Sequence, residues 1–113
     1  METIFDKILA GEIESEFVYE DDHVAAFKDI NPQAPVHVLV LPKKKFTSLI
    51  DAKELKAEEL GRFMQGISKC AEKLGLEKEG YRVVINSGKH AQQSVEYVHA
   101  HIIGGRQLQW PPG

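Results

Sequence analysis

Cysteine is scarce in this sequence and positive charge is not in excess, and each absence excludes a class of protein. Cys70 is the one cysteine among 113 residues, so neither an intrachain disulfide nor a cysteine zinc site can form. The formal net charge of −3 leaves no basic footprint of the kind that nucleic-acid binding requires. The one basic cluster, Lys43 to Lys45, is interpreted as a solvated loop. We expect a cytoplasmic protein without a nucleic-acid partner.

Long apolar runs, repeats and low-complexity segments are also missing. The first residues, METIFDKILAGEI, place two acidic residues before Lys7 and predict neither a signal peptide nor a membrane span. Hydrophobic residues make up 42% of the chain and charged residues 27%, which is ordinary for a soluble globular protein. We therefore expect residues 1–113 to form a single domain with no membrane partner.

Helix and strand signals along the chain predict an α+β fold. Helical spacing of apolar residues predicts a short helix from Thr3 to Gly11 and a long helix that Asp51 opens and Gly75 ends. The strand signals are grouped rather than alternating strictly with helices, which favours a five-stranded antiparallel sheet. The predicted strands are residues 16–20, 24–30, 36–42, 81–87 and 95–103.

The last predicted strand carries a regular alternation of side chains. The apolar residues lie at the even positions of 98–102, whereas Tyr97, His99 and His101 are polar rings at the odd positions. Because successive side chains of a strand point to opposite faces, the two imidazoles share one face at a spacing of about 6–7 Å. Such a pair suits a metal ion or one anionic group, and two ordinary structural histidines are the remaining alternative.

Neighbouring residues distinguish the metal interpretation from the anion interpretation. A histidine metal site usually needs a third protein ligand, and His37 is available on another predicted strand, with Asp29 close before it. The residues before the last strand include Asn86, Gln93 and Ser94, whose neutral hydrogen-bond donors suit an anion. Imidazole, amide and hydroxyl donors that converge on one point are typical of a phosphate site, so we expect no metal.

The segment QSVEYVHAHIIGGRQLQWPPG resembles the signature of the histidine triad (HIT) superfamily, in which histidines alternate with apolar residues. Its QSV start and its GGRQ…WPPG end are similar to the Hint branch, the nucleotide-binding purine phosphoramidases. TIFDKILAGEI, YEDDHVAAFKDINPQAPVHVLVLPKK and VVINSGKHAQQSV also resemble Hint segments, in the same order. The chain departs from the family pattern at the first triad position, which is Tyr97, and at Gln92, where glycine is common.

This resemblance implies a reaction and a role for each triad position. It implies a hydrolase that cleaves the P–N bond of adenosine or guanosine 5′-phosphoramidates through a nucleotidyl-histidine intermediate and without a cofactor. The nucleophile would be His99, and His101 would serve the phosphate and the leaving group, with Tyr97 in support. The other ring nitrogen of His99 would be held by a backbone carbonyl or by the ring of His37.

A nucleotide pocket and a homodimer are implied as well. Asp29 would accept hydrogen bonds from the ribose hydroxyls, while Asn86, Gln93 and Ser94 would bind the non-bridging phosphate oxygens. The long helix and a strand would pair across a two-fold axis into one ten-stranded sheet, with Trp110 near the partner's pocket. The resemblance assigns the walls of the base pocket to four apolar residues, which by residue type alone also suit the core: Phe5, Ile8, Phe27 and Ile30.

Three other functions stay open at the level of the sequence. Tyr97 in the first triad position is compatible with a nucleotide sensor or scaffold whose turnover is slow. A metal-binding protein would use His37, His99 and His101 together. A dinucleotide-polyphosphate hydrolase of the Fhit-like branch is the third alternative, and the GGRQ…WPPG end counts against it.

Overall fold

One antiparallel sheet of five strands organises the fold in the computed structural model, which describes residues 1–113. In chain order the elements are α1 (Ile4–Leu9), β1 (Phe17–Glu20), β2 (Val24–Lys28), β3 (Val36–Pro42), a 3-10 helix (Leu49–Glu54), α2 (Ala57–Lys73), β4 (Tyr81–Val84) and β5 (Ala100–Gly104). The strand order in the sheet is β1-β2-β3-β5-β4, and the predicted α+β class is confirmed.

The long helix α2 begins later than the sequence predicts. Asp51 lies in the separate 3-10 helix, so the predicted start at Asp51 is wrong. The N–H of Lys56 donates to the Glu59 carboxylate at 3.1 Å, which satisfies a donor at the start of α2. The end is as predicted, since Gly75 follows with a φ of 74°, a left-handed conformation that glycine adopts without strain. No helix of this chain is both long and apolar enough to cross a membrane.

Strand β3 has the predicted bounds and the other four strands are shorter than predicted, but the side-chain alternation around His99 holds. β2 ends at Lys28 and β4 at Val84, and β5 begins only at Ala100. Val98 and Ala100 nevertheless belong to one core cluster and Tyr97 to another. The two-residue period therefore separates the faces even before the hydrogen-bonded ladder begins.

The two core clusters lie on opposite faces of the sheet. Helix α2 covers the larger cluster, and it approaches β2 so closely that a Cβ at Gly66 would meet the Val24 methyl groups at 2.6 Å. Helix α1 contributes to the smaller cluster on the other face, where the polar rings lie. The members of this smaller cluster are Phe5, Ile8, Phe27, Leu39, Leu41 and Tyr97.

Candidate active site

Three histidines meet beside the smaller core cluster: His37 of β3, His101 of β5 and His99, which directly precedes β5. In the ladder between these strands, Leu39 lies opposite His101 and His37 opposite Ile103, so His37 and His101 are diagonal neighbours. Their ring centroids are 5.1 Å apart, and the rings of His99 and His101 are 5.0 Å apart. The structure therefore brings together the three histidines that the sequence singles out.

A directional chain of hydrogen bonds fixes the tautomers of His37 and His101. The backbone N–H of Gln33 donates to His37 Nδ1 at 3.0 Å, so a neutral His37 carries its proton on Nε2. That nitrogen lies 2.8 Å from His101 Nδ1 and donates to it. His101 then carries its own proton on Nε2, which is buried and has no partner in the chain. A buried N–H donor is therefore free for a ligand.

His99 has the opposite tautomer. Its Nδ1 lies 2.7 Å from the backbone carbonyl oxygen of Tyr97, to which it donates. Its Nε2 consequently bears a lone pair and no proton. Of the two partners that the sequence leaves open for this ring, the structure uses the backbone carbonyl, and the ring of His37 serves His101 instead. Phe5 covers the ring of His99 edge-on, with centroids 4.9 Å apart.

Burial keeps the His99 and His101 rings uncharged. Loss of contact with water lowers the pKa of His99 below 6.5, although the Tyr97 carbonyl and the Asp29 carboxylate oppose this. The pKa of His101 falls to about 4, first because of burial and then because His99 and His37 lie close by. At pH 7 the site therefore presents one unprotonated nitrogen and one neutral N–H donor.

Asp29, His37 and His101 offer three ligand atoms within 4.8 Å of one another. The distances between these atoms can be compared with those of a zinc site. Two nitrogen ligands of a tetrahedral zinc ion lie about 3.3 Å apart, given zinc–nitrogen distances of about 2.0–2.1 Å. His37 Nε2 and His101 Nδ1 are only 2.8 Å apart and face one another across a proton. Asp29 Oδ2 is 3.4 Å from the same His37 nitrogen. The arrangement fits a hydrogen-bonded pair and does not fit a zinc centre.

Tyr97, at the first triad position, acts on His99 through its backbone. Its hydroxyl donates to the carbonyl oxygen of Pro42 at 2.5 Å, and its side chain is fully buried. Burial, aided by the negative charge of Asp6, raises the pKa of this phenol to about 12. The hydroxyl is therefore a fixed donor rather than a proton carrier. The carbonyl that orients His99 would be present with any side chain at this position.

Gln93 uses its whole amide group within the chain. Its Nε2 donates to the carbonyl oxygens of Thr47 and Val95 at 2.8 and 3.0 Å, and its Oε1 accepts from the N–H of Gly88 at 3.0 Å. Both of its N–H groups are thus occupied, so the side chain holds the polar loop in place instead of presenting a donor.

The other polar residues of this loop are more accessible. Asn86 is half-buried and Ser94 is exposed. Gln92 has a φ of 60°, a left-handed conformation that is uncommon outside glycine. The loop therefore has at Gln92 a backbone conformation that a glycine would adopt without strain.

The apolar residues assigned to the base pocket divide between core and surface. Phe5, Ile8 and Phe27 are buried, and the rings of Phe5 and Phe27 meet edge-on at 5.7 Å. Ile30 is 95% exposed and Trp110 is 79% exposed, so both lie on the surface of the single subunit. The indole of Trp110 has the Arg82 guanidinium carbon 5.8 Å from its ring centroid.

Several residues that shape the site could not be found from the sequence. Gln33 acts through its backbone N–H and Pro42 through its carbonyl, and residue type gives no signal for either. Lys45 and Asp6 pair across 39 residues of chain. The sequence shows the basic cluster around Lys45 but gives no signal for its contact with the N-terminal helix.

Comparison with known proteins places this chain in one family. Residues 10–108 match the HIT domain, and the chain belongs to the HIT domain family. It is 53% identical to the 14 kDa zinc-binding protein of Zea mays, over 98% of this chain and 88% of that protein. It is 50% identical to adenylylsulfatase HINT1 of Arabidopsis thaliana, over 98% of this chain and 76% of that protein. The predicted resemblance to the Hint branch is thereby confirmed.

Among solved structures, the chain superposes on the HIT family hydrolase from Legionella pneumophila Philadelphia 1 with a TM-score of 0.92. The two chains are 41% identical, and the match covers 99% of this chain and 100% of the other. The five-stranded antiparallel architecture is therefore that of the HIT fold.

Proposed function

We propose that the chain is a nucleotide hydrolase that cleaves the P–N bond of adenosine or guanosine 5′-phosphoramidates through a nucleotidyl-His99 intermediate. The observation that carries this proposal is the pairing of an unprotonated His99 Nε2 with the partnerless N–H of His101. A neutral nucleophile brings no charge toward a phosphorus that negative oxygens shield. Relatives named as a HIT family hydrolase and as an adenylylsulfatase support a hydrolase acting on adenylyl compounds.

In the first step, His99 Nε2 attacks the phosphorus and the P–N bond breaks. The hydrogen bond from His99 Nδ1 to the Tyr97 carbonyl stabilises the positive charge that develops on the ring. The amine leaves with a proton that comes from solvent through His101. A bound phosphate raises the proton affinity of that buried ring, which is otherwise neutral. His37 orients His101 from behind.

In the second step, water attacks the phosphorus, the bond between phosphorus and His99 Nε2 breaks, and the nucleoside monophosphate is released. The electron pair of the broken bond returns to His99 Nε2, and the proton of the attacking water passes through His101 to solvent, which restores the neutral ring. Splitting one difficult displacement into two easier ones is the advantage of the covalent route.

The same proposal assigns the binding groups. Asp29 accepts from the ribose hydroxyls, and its Oδ1 already accepts from the Asn31 N–H at 2.8 Å, which fixes the carboxylate. Asn86 and Ser94 bind the phosphate oxygens, while Gln93 holds their loop. The base lies along the walls assigned from the sequence: Phe5, Ile8, Phe27 and Ile30.

Two copies of the chain complete the proposed enzyme. β4 is an edge strand, and its Tyr81 and Val83 are 38% and 37% exposed. Met64 on α2 is 56% exposed. An unpaired edge with apolar side chains is a natural pairing surface, which supports a two-fold dimer with one ten-stranded sheet and with Trp110 near the partner's pocket.

A second candidate substrate is a mixed anhydride of AMP with sulfate, because the Arabidopsis thaliana relative is named adenylylsulfatase. Sulfate leaves as an anion and needs no proton. The neutral N–H of His101 suits such a leaving group, since it can donate a hydrogen bond without transferring its proton.

One set of assays separates these functions. Purified protein is given a fluorogenic adenosine phosphoramidate and, in parallel, adenylyl sulfate, with AMP release as the readout for both wild type and His99→Ala. Turnover of either substrate that His99→Ala abolishes supports the hydrolase. Tight binding of AMP without turnover would instead identify a sensor, and stoichiometric zinc by elemental analysis would contradict the geometry described for His37 and His101.

A further inference from the structure

We infer that Lys45 is a positioning residue, which latches the N-terminal helix α1 against the ring of His99. The inference rests on the proposed function, because the proposed function makes His99 the nucleophile. The resemblance assigns no role to Lys45 or Asp6, and the inference is carried by their contacts with each other and with the neighbouring Phe5 and Tyr97.

Lys45 makes three contacts that converge on the start of the chain. Its Nζ donates to Asp6 Oδ2 at 2.9 Å and to the carbonyl oxygen of Met1 at 2.6 Å. The same ammonium group lies 5.5 Å from the centroid of the Tyr97 ring, within the range of a cation–π interaction. One side chain from the loop after β3 therefore fixes the first turn of α1 over the residue whose carbonyl orients His99.

Asp6 is the receiving group on α1. Its Oδ2 also accepts from the Thr3 N–H at 2.6 Å and from the Thr3 hydroxyl at 2.8 Å. Burial by itself would raise the pKa of Asp6, but the hydrogen bonds from Lys45 and Thr3 outweigh it and lower the pKa to about 2. The Asp6 carboxylate that accepts from Lys45 is therefore charged throughout the neutral pH range.

Helix α1 needs such a latch because it is short. It has six residues, and isolated helices shorter than about 12–15 residues are marginal in water. Its position therefore depends on tertiary contacts: the burial of Phe5 and Ile8 on one side and the Lys45 pair on the other.

Phe5 connects the latch to the chemistry. It is the residue next to Asp6, and its ring lies 4.9 Å from His99 and 6.4 Å from Tyr97 between centroids. Holding Asp6 in place therefore holds Phe5 on the His99 ring. When the latch is removed, we expect the imidazole to gain freedom to tilt about its bond to the Tyr97 carbonyl and water to reach it.

The adjacent lysines supply a matched control. Lys43 pairs with Glu20 at 2.7 Å, and the two side chains are 38% and 56% exposed. Exposed pairs of this kind contribute little to stability. Lys43→Met removes the same charge from the same loop without touching α1, so it isolates the effect of the Lys45 contacts.

The test compares Lys45→Met, Lys45→Arg, Asp6→Asn, the double variant Lys45→Met/Asp6→Asn and Lys43→Met in the hydrolysis of adenosine phosphoramidate. Because small misplacements of reacting groups cost large factors in rate, Lys45→Met should lower kcat by about fivefold to tenfold and leave KM nearly unchanged. The double variant should lose no more than Lys45→Met, since both changes break one interaction. Lys45→Arg should recover most of the rate, and Lys43→Met should equal wild type.

Hydrogen exchange and a pH profile report on the mechanism of the effect. Amide exchange at Ala10 and Gly11, which donate to α1 carbonyls, should become up to about tenfold faster in Lys45→Met. The acidic limb of kcat/KM should move to higher pH, because water at His99 brings its pKa nearer to the ordinary value. The other groups that face His99, namely Asp29, His101 and the Tyr97 carbonyl, are the same in both proteins.

Each result decides the inference. Faster exchange in α1 with an unchanged kcat would reduce Lys45 to a structural role and overturn it, as would an equal loss of rate in Lys43→Met. If Lys45→Met does not fold, Asp6→Asn carries the same comparison. If wild type turns over no substrate, the proposed function fails, and the latch is judged without substrate by exchange in α1 and by the NMR shift of the His99 ring protons under Phe5.

Discussion

His37 Nε2 and His101 Nδ1 lie 2.8 Å apart, and the proton between them belongs to His37 because the Gln33 N–H occupies its other nitrogen. This contact sets the donor-to-acceptor direction of the hydrogen bonds that run from Gln33 through His37 to His101. It leaves the His101 N–H free for a ligand, while the separate bond from His99 to the Tyr97 carbonyl leaves a lone pair on His99. The N–H donor of His101 and the unprotonated Nε2 of His99 thus lie on neighbouring rings at neutral pH.

Removing the nucleophile should abolish activity and spare the fold. His99→Ala should lower hydrolysis of adenosine phosphoramidate by at least about a thousandfold, since no other unprotonated ring nitrogen is available beside the free N–H of His101. Steady-state assays with thermal unfolding measure both properties. His90→Ala, which changes an exposed histidine of the loop, is the control. An active His99→Ala protein would rule out the covalent mechanism.

Replacing Tyr97 by the histidine typical of the family should alter turnover by about tenfold or less, equivalent to about 1.4 kcal/mol of barrier. The residue acts on His99 through its carbonyl, which Tyr97→His retains. A change of several orders of magnitude would show that the ring itself takes part.

Tyr97→Phe tests stability rather than rate. The Pro42 carbonyl loses its buried donor, so the free energy of unfolding should fall by about 1–3 kcal/mol while kcat changes little. Urea denaturation measures the first quantity. No loss of stability would mean that the hydroxyl does not make this bond in solution.

His37 should matter as the donor behind His101. His37→Phe removes that donor, frees His101 to change tautomer, and should lower kcat by about tenfold to a hundredfold. His37→Gln keeps an amide N–H and should recover part of the rate. Equal rates in the two variants would contradict the tautomer assignment.

Acid should destabilise the fold through His101. Its pKa is about 4 in the folded chain against 6.5 for an ordinary histidine, so between these values the unfolded chain binds more protons. Stability is therefore fully present above pH 6.5 and is lost toward pH 4, by up to about 3 kcal/mol. Urea denaturation at several pH values measures the slope, and His101→Gln should reduce it. If His101→Gln does not change the pH dependence of the free energy of unfolding, groups other than His101 cause the loss of stability in acid.

The proposed dimer rests on the edge strand β4. Val83→Lys places a charge on that edge and should give a monomer in analytical ultracentrifugation, with Lys43→Met as a dimeric control. Truncation after Gln109 removes Trp110 and should alter the preference among leaving groups more than it alters nucleotide affinity. A monomeric wild type at micromolar concentration would overturn the dimer, and an unchanged substrate profile would count against the shared pocket.

Local periodicity in the sequence was enough to predict the sheet, the end of the long helix and the shared face of the polar rings. The two-residue alternation of 97–103 put Tyr97, His99 and His101 on one face, because successive strand residues point to opposite sides whatever surrounds them. The grouping of strand signals predicted an antiparallel sheet, and Gly75 marked the end of the long helix, since a left-handed residue is a local requirement.

Only the tertiary structure decided the contacts that run through backbone groups or across long separations. Three such features depend on where other segments of the chain lie. They are the start of α2, the hydrogen bond of His99 to the Tyr97 carbonyl, and the fully hydrogen-bonded side-chain amide of Gln93. The pairing of Lys45 with Asp6 joins residues 39 positions apart. Residue type and spacing carry no information on such contacts. Backbone N–H and carbonyl groups are chemically the same at nearly every position, and only the folded structure determines which of them meet a side chain.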